Sequence, residues 1–244
     1  MEAHTWLVHE LRILHRDISP CNILMEREAD EYHVRRGYLI DFDHALDLAR
    51  VDPSQSPGRS FFAAALLLDP NDEDNEVFQS EKDDTESLFY SIVYLGLLQA
   101  QHSLSDDHVA LEAKLNFNFE STLFEAKAGS LLYRAYSKIR WVNRGLQKFV
   151  EVLEPVFRSR YLETDIRRPM DQANIVNLDT RSWMDMTIRD IVQTMPPPPE
   201  MEFITNEHYR QAAASTRKRA YKTQNTENRL GLDGHLDKRQ KKDN

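Results

Sequence analysis

Residues 15–22 read H-R-D-I-S-P-C-N and set a carboxylate, a guanidinium and a carboxamide at fixed separations. In phosphoryl transfer, an aspartate placed as Asp17 is accepts the proton of the attacking hydroxyl, and Asn22, five positions on, holds a magnesium ion. That separation is the reach a loop needs to put one group at the substrate and the other at the metal. A second carboxylate, Asp41, ends an apolar run in I-D-F-D (residues 40–43). There it can bridge the chain to magnesium on nucleotide phosphates. Asp84 opens a further apolar stretch in D-T-E-S (residues 84–87). An aspartate in a helix's first turn suits the dipole and can accept backbone N–H bonds from a neighbouring loop. His15 reads as a packing residue that shapes the first loop. Singly, each has an ordinary explanation as a turn former or a cap. Their order and joint spacing set those explanations aside.

H-R-D-x-x-x-x-N is the catalytic-loop pattern of protein kinases. Over H-R-D-I-S-P-C-N-I-L (15–24), G-Y-L-I-D-F-D-H-A (37–45) and D-D-T-E-S-L-F-Y (83–90), the chain resembles the fungal-type protein kinases. Ser19 stands where most serine/threonine kinases have a loop lysine, and D-F-D (41–43) replaces D-F-G, as in that family. The resemblance runs over roughly residues 1–160. It implies a kinase fold, ATP, Mg2+ and transfer to protein serine or threonine. Asp17, Arg16 and Asn22 would be catalytic, Asn22 and Asp41 would hold metal and nucleotide, and His15 and Asp84 would support them. Arg16 would pair with a phosphate on the following segment, where Ser54, Ser56 and Ser60 lie.

Two departures stand out. No G-x-G-x-x-G occurs, and only about fourteen residues precede His15, which leaves no room for the strand lysine and helix glutamate that clamp the phosphates. After Asp43, residues 58–67 put Leu66 where the family has a glutamate, so the arginine that this glutamate would pair is expected to be absent or solvent-exposed.

The elements that must position these residues follow from patterning. Trp6, Leu7, Leu11 and Leu14 predict an amphipathic helix over 3–14. Short strands at 22–25 and 37–40 flank the polar stretch 26–36, making a hairpin. Residues 52–59 are a loop by their Pro, Ser and Gly content. Residues 69–76 form an acidic loop without the Gly and Glu of a calcium site. Residues 84–100 predict a helix apolar nearly all round, hence central. Further stripes are Phe124, Ala128, Leu131, Leu132 and Ala135, then Leu146, Phe149, Val150, Leu153 and Phe157. A last helix starts near Ser182, buries Met184, Ile188, Ile191 and Met195, and stops at the prolines 196–199. The expected fold class is mainly α with a small β-hairpin, a kinase-like C-terminal lobe lacking the N-terminal β lobe. Its expected domains are residues 1–195 and a disordered basic tail, 196–244.

Charge divides the chain. Residues 205–244 hold ten Lys/Arg against five Asp/Glu, net +5, which leaves 21 basic and 35 acidic residues before them, net −14. So acidic a body does not attract nucleic acid phosphates. The chain holds no apolar run long enough to span a membrane, and its single cysteine, Cys21, reads as an inert loop thiol in a reducing, intracellular setting. Basic clusters at Arg217–Arg219 and Lys238–Lys242 suit a nuclear-import signal or a solubilising tail, so the expected location is cytoplasmic or nuclear.

Three functions compete. One is a serine/threonine kinase, weak or inactive as this chain alone. Another is a pseudokinase that binds a partner without turnover, and the third is a small-molecule phosphotransferase. Arg16 beside Asp17 and the Asp-x-x-Ser helix opening favour the protein-kinase branch over the third. The surface that a second lobe normally covers would expose apolar residues and drive self-association or partner binding.

Overall fold

The computed structural model describes residues 2–26, 37–50, 63–65, 79–120, 124–180 and 183–193, all within the first of two units, Met1–Pro199. The connection 27–36, the loops 52–59 and 69–76, the three serines, Leu66, Ser182, Met195, the prolines and the basic tail lie outside them.

Helix α1 spans Glu2–Glu10. Arg12 then takes a left-handed backbone with φ 60°, which ends the helix and starts β1 (Ile13–Leu14). This corrects the expected helix over 3–14. Trp6 and Leu11 are 55% and 44% exposed, and the buried face is His4, Thr5 and Val8. Leu14 is buried as a strand residue, because the turn at Arg12 breaks the helical phase.

A short 3-10 turn, Pro20–Asn22, leads into β2 (Ile23–Met25), which pairs antiparallel with β3 (Gly37–Leu39). The chain then returns through β4 (Leu46–Asp47) to pair with β1. Residues 15–22 and 40–45 are therefore each held at both ends by a two-stranded ladder.

Helix α2 spans Glu81–Gln99 and starts where Asp83 accepts hydrogen bonds from both the backbone N–H and the hydroxyl of Ser80, each 2.7 Å. Around it pack α3 (His108–Leu115), α4 (Phe124–Leu132), α5 (Arg144–Arg158), α6 (Pro169–Asp179) and α7 (Trp183–Gln193). Phe89 of α2 is fully buried, with ring centroids 5.3 Å from Phe157, 5.7 Å from Tyr136 and 5.8 Å from Phe149. Val150, Leu153, Leu131, Met184 and Ile191 complete this core. Ala135, expected on the α4 stripe, lies beyond that helix's end. At Gly96 a methyl group would sit 2.5 Å from Leu146 and 3.0 Å from Trp141, so the glycine permits the close approach of α5. No helix among the described residues is long and apolar enough to cross a membrane.

Phe89→Ala removes the shared partner of four aromatic rings, Tyr90, Tyr136, Phe149 and Phe157, and should cost about 3–5 kcal/mol in urea unfolding. A loss under about 1 kcal/mol would show that α2 is not the centre of the core.

Candidate functional site

The two sequence motifs meet through backbone bonds. Ile40 donates its N–H to the Asn22 carbonyl at 2.9 Å, and the Ile40 carbonyl accepts from His15 Nε2 at 2.9 Å. The His15 ring, fully buried, also meets Phe42 edge-on at 4.8 Å. These contacts hold Asp41 beside the loop that carries Asp17 and Asn22. Asp41 is exposed, with φ 65°. Arg16 has φ 69°. A left-handed backbone at a non-glycine residue costs on the order of 1–3 kcal/mol and persists where its surroundings over-determine it.

Asn22 Nδ2 donates to the Asp17 carbonyl at 2.8 Å and to Asp17 Oδ2 at 3.0 Å. The amide nitrogen is thus committed to Asp17, which leaves the side-chain oxygen of Asn22 as its acceptor. Asn22 and the exposed Asp41 each carry a hard oxygen donor. Mg2+ is commonly held by one or two carboxylates, waters and substrate phosphates. The donor set therefore fits that ion, and among the described residues no group of three His, Cys, Asp or Glu side chains offers another metal site.

Asp84 lies under the loop, 0% exposed. Its Oδ2 accepts the His15 N–H at 2.8 Å and lies 3.0 Å from His4 Nε2. Its Oδ1 accepts the Arg16 N–H at 3.0 Å and Gln79 Nε2 at 3.3 Å. Gln79 Oε1 in turn accepts Arg16 Nε at 3.1 Å. Burial lowers the Arg16 pKa, and Asp84 works against that shift.

A second cluster lies about half a turn along α2 from Asp84. Glu86, 0% exposed, accepts the Ala65 N–H at 3.1 Å, the Tyr161 hydroxyl at 2.5 Å and Arg160 Nη1 at 2.5 Å. Arg160 Nη2 reaches Asp83 at 2.5 Å. Burial opposes the Arg160 charge, but Glu86 and Asp83 more than offset it and its pKa rises. Arg160, its side chain only 7% exposed, thus has two acidic partners, both from α2; Leu66, at which the family's buried glutamate–arginine pair is expected to be lost, lies outside the described residues. Lys127 Nζ donates to the Ala63 carbonyl at 2.6 Å and lies 4.7 Å above the Tyr90 ring. Residues 63–65, all buried, are thereby fixed at both ends. Sequence reasoning missed His4, Gln79, Glu86, Lys127 and Arg160. The available signal was the acidic density of residues 81–86 just ahead of an apolar run, since buried acids need buried donors.

Residues 1–95 match the family model described as fungal protein kinase, a span that includes Asp17, Asn22, Asp41 and Asp84. The likeness read from sequence ran on to about residue 160; the family match ends within α2. No curated protein and no solved structure matches the chain.

Burial lowers the Lys127 pKa to about 7, with Glu86 opposing. The unfolded chain keeps this proton up to about pH 10, so stability rises with pH above about 7 and is lost as pH falls back through it. Urea unfolding should give greater stability near pH 9, below the range where tyrosines ionise, than near pH 7. Lys127→Met should flatten that difference; an unchanged slope would show that Lys127 is not the source.

Proposed function

We propose that this chain transfers the terminal phosphoryl group of ATP to serine or threonine hydroxyls of protein substrates. Asp17 takes the hydroxyl proton as the acceptor oxygen bonds to phosphorus and ADP departs. Asn22 and Asp41 would hold a magnesium ion and through it the phosphates, and Arg16 fixes the loop. Bound Mg2+ would supply neutralisation of the phosphate charge. The observation that carries this reading is the seam at Ile40, whose N–H bonds the Asn22 carbonyl one residue before Asp41, while the Asn22 side chain is bound to Asp17. On this reading a base and two oxygen ligands share one frame, and positioning plus electrostatics supply most of the rate in such transfers. The fungal protein kinase match over residues 1–95 supports the same chemistry. The helices packed behind the loop are, on this reading, a kinase-like C-terminal lobe.

Calorimetry of ATP with Mg2+, run beside phosphate transfer to a Ser/Thr peptide mixture, tests it. Magnesium-dependent binding should be lost in Asp41→Asn and kept in Asp17→Asn, and transfer should vanish in both. Binding indifferent to Asp41 would overturn the reading.

A second reading, a partner-binding module without turnover, draws on surface chemistry. Leu24 and Tyr38, directly opposed in the β2–β3 ladder, are 52% and 48% exposed, Met25 is 63% exposed, and Phe42 beside Asp41 is 42% exposed. Exposed apolar patches mark interaction sites. Sedimentation should show association at roughly tens of micromolar, where such patches pair. The double variant Leu24→Glu, Met25→Glu should weaken it, and a monomer at that concentration would count against this surface.

A further inference from the structure

Two donors to Asp84, Gln79 and His4, belong to none of the motifs, and His4 is the more remote. His4, on α1 and eighty residues away in sequence, is 3% exposed, with Nε2 3.0 Å from Asp84 Oδ2. We propose that His4 is a positioning residue, fixing the Asp84 carboxylate that in turn fixes the backbone of His15 and Arg16 and so the aim of Asp17. Its catalytic consequence rests on the phosphotransfer reading above.

Lone pairs carry the argument. An ionised carboxylate offers about four acceptor sites and no proton. Asp84 fills them with His15 N–H and His4 on Oδ2, and Arg16 N–H and Gln79 on Oδ1. His4 Nε2 therefore carries the hydrogen of its contact. Its other nitrogen, Nδ1, is buried without a hydrogen-bond partner. A residue there for packing alone would be better apolar, because an unpaired buried polar atom destabilises the fold. The orphaned Nδ1 is tolerated because Nε2 serves Asp84. Without His4, Oδ2 keeps only one bond, and the carboxylate can turn about its broad terminal torsion. The loop is sensitive to such a turn. The second amide that Asp84 grips belongs to Arg16, which is held at φ 69°, and Asp17 follows it directly.

The test uses the full chain with 15N-labelled histidine, arginine and valine. Amide exchange at His15 and Arg16 is compared with exchange at the core amide of Val93, so that a general loss of stability moves all three and local release moves only two. His4→Leu should speed exchange at His15 and Arg16 by about tenfold or more relative to Val93, the loss of one charge-assisted bond. His4→Gln, whose amide nitrogen falls near the Nε2 position, should restore protection, and the shorter His4→Asn should not. His9→Leu is the control. His9 Nε2 lies 3.1 Å from Glu81, close but unaligned for a hydrogen bond, so this change loosens α1 without touching Asp84. In transfer assays His4→Leu should lower kcat with the KM for ATP unchanged. Unaltered relative exchange in His4→Leu, or an equal effect from His9→Leu, would overturn the proposal. If His15 and Arg16 respond as expected but ATP binding ignores Asp41, the phosphotransfer reading falls and the His4 contact stands.

Discussion

The site hangs on a carboxylate that never reaches solvent. Asp84 sits in the first turn of α2, where the helix dipole favours negative charge and the helix itself is gripped by the aromatic core. Burying a lone carboxylate would be prohibitive, so the fold must bring donors to it. It brings four, from α1, from the loop after β1 and from the residue just before α2's cap. The consequence is mechanical. The loop has one buried apolar anchor of its own, Ile18, and takes the rest of its rigidity from α2 through Asp84.

The same helix start does this twice. Asp83, Asp84 and Glu86 are 4%, 0% and 0% exposed, yet they face different clients. Asp84 holds the loop of Asp17; Glu86 holds residues 63–65; Asp83 and Glu86 together secure Arg160 after α5. Three segments remote in sequence are thus registered against one turn of helix. Ion pairs this buried do not make a protein more stable than apolar packing would, and removing one partner is costly because the other is left charged in a dry site. Their return is specificity: each segment is accepted only where its donor meets an acid.

What the sequence revealed and what it hid divide along the same line. Local spacing is enough to place Asp17 and Asn22 on one loop, to pair β2 with β3 and to start the central helix near Asp84, since hairpin and helix periodicities are written in consecutive residues. The family match over residues 1–95 covers that same legible stretch. The end of α1 was misread because Leu11 and Leu14 lie beyond it, and within it Trp6 faces outward while a histidine and a threonine face in beside Val8. Hydrophobic periodicity assumes that buried means apolar, and at this site the buried partners are polar. α3 and α6 escaped for a related reason: α3 buries no residue and α6 only Asp171, so neither has a stripe to find. The Glu86–Arg160 pair spans 74 residues, and no local pattern in a single chain couples the two.

That division bears on how the site should respond to change. Core positions such as Phe157 answer to volume and tolerate apolar exchange of similar size. The polar frame under the loop answers to hydrogen-bond direction instead. A substitution there that keeps size but loses a donor, as at Gln79, leaves the fold's apolar contacts intact while loosening both Asp84 and the Arg16 side chain. A loop with two left-handed non-glycine residues nearby, Arg16 and Asp41, has little tolerance for such loosening, because relaxation of either φ redirects the carboxylate beside it. Stability and aim are therefore set by different residues. The aromatic core decides whether the helical body folds, and Asp84 at the head of α2 holds the backbone that leads into Asp17.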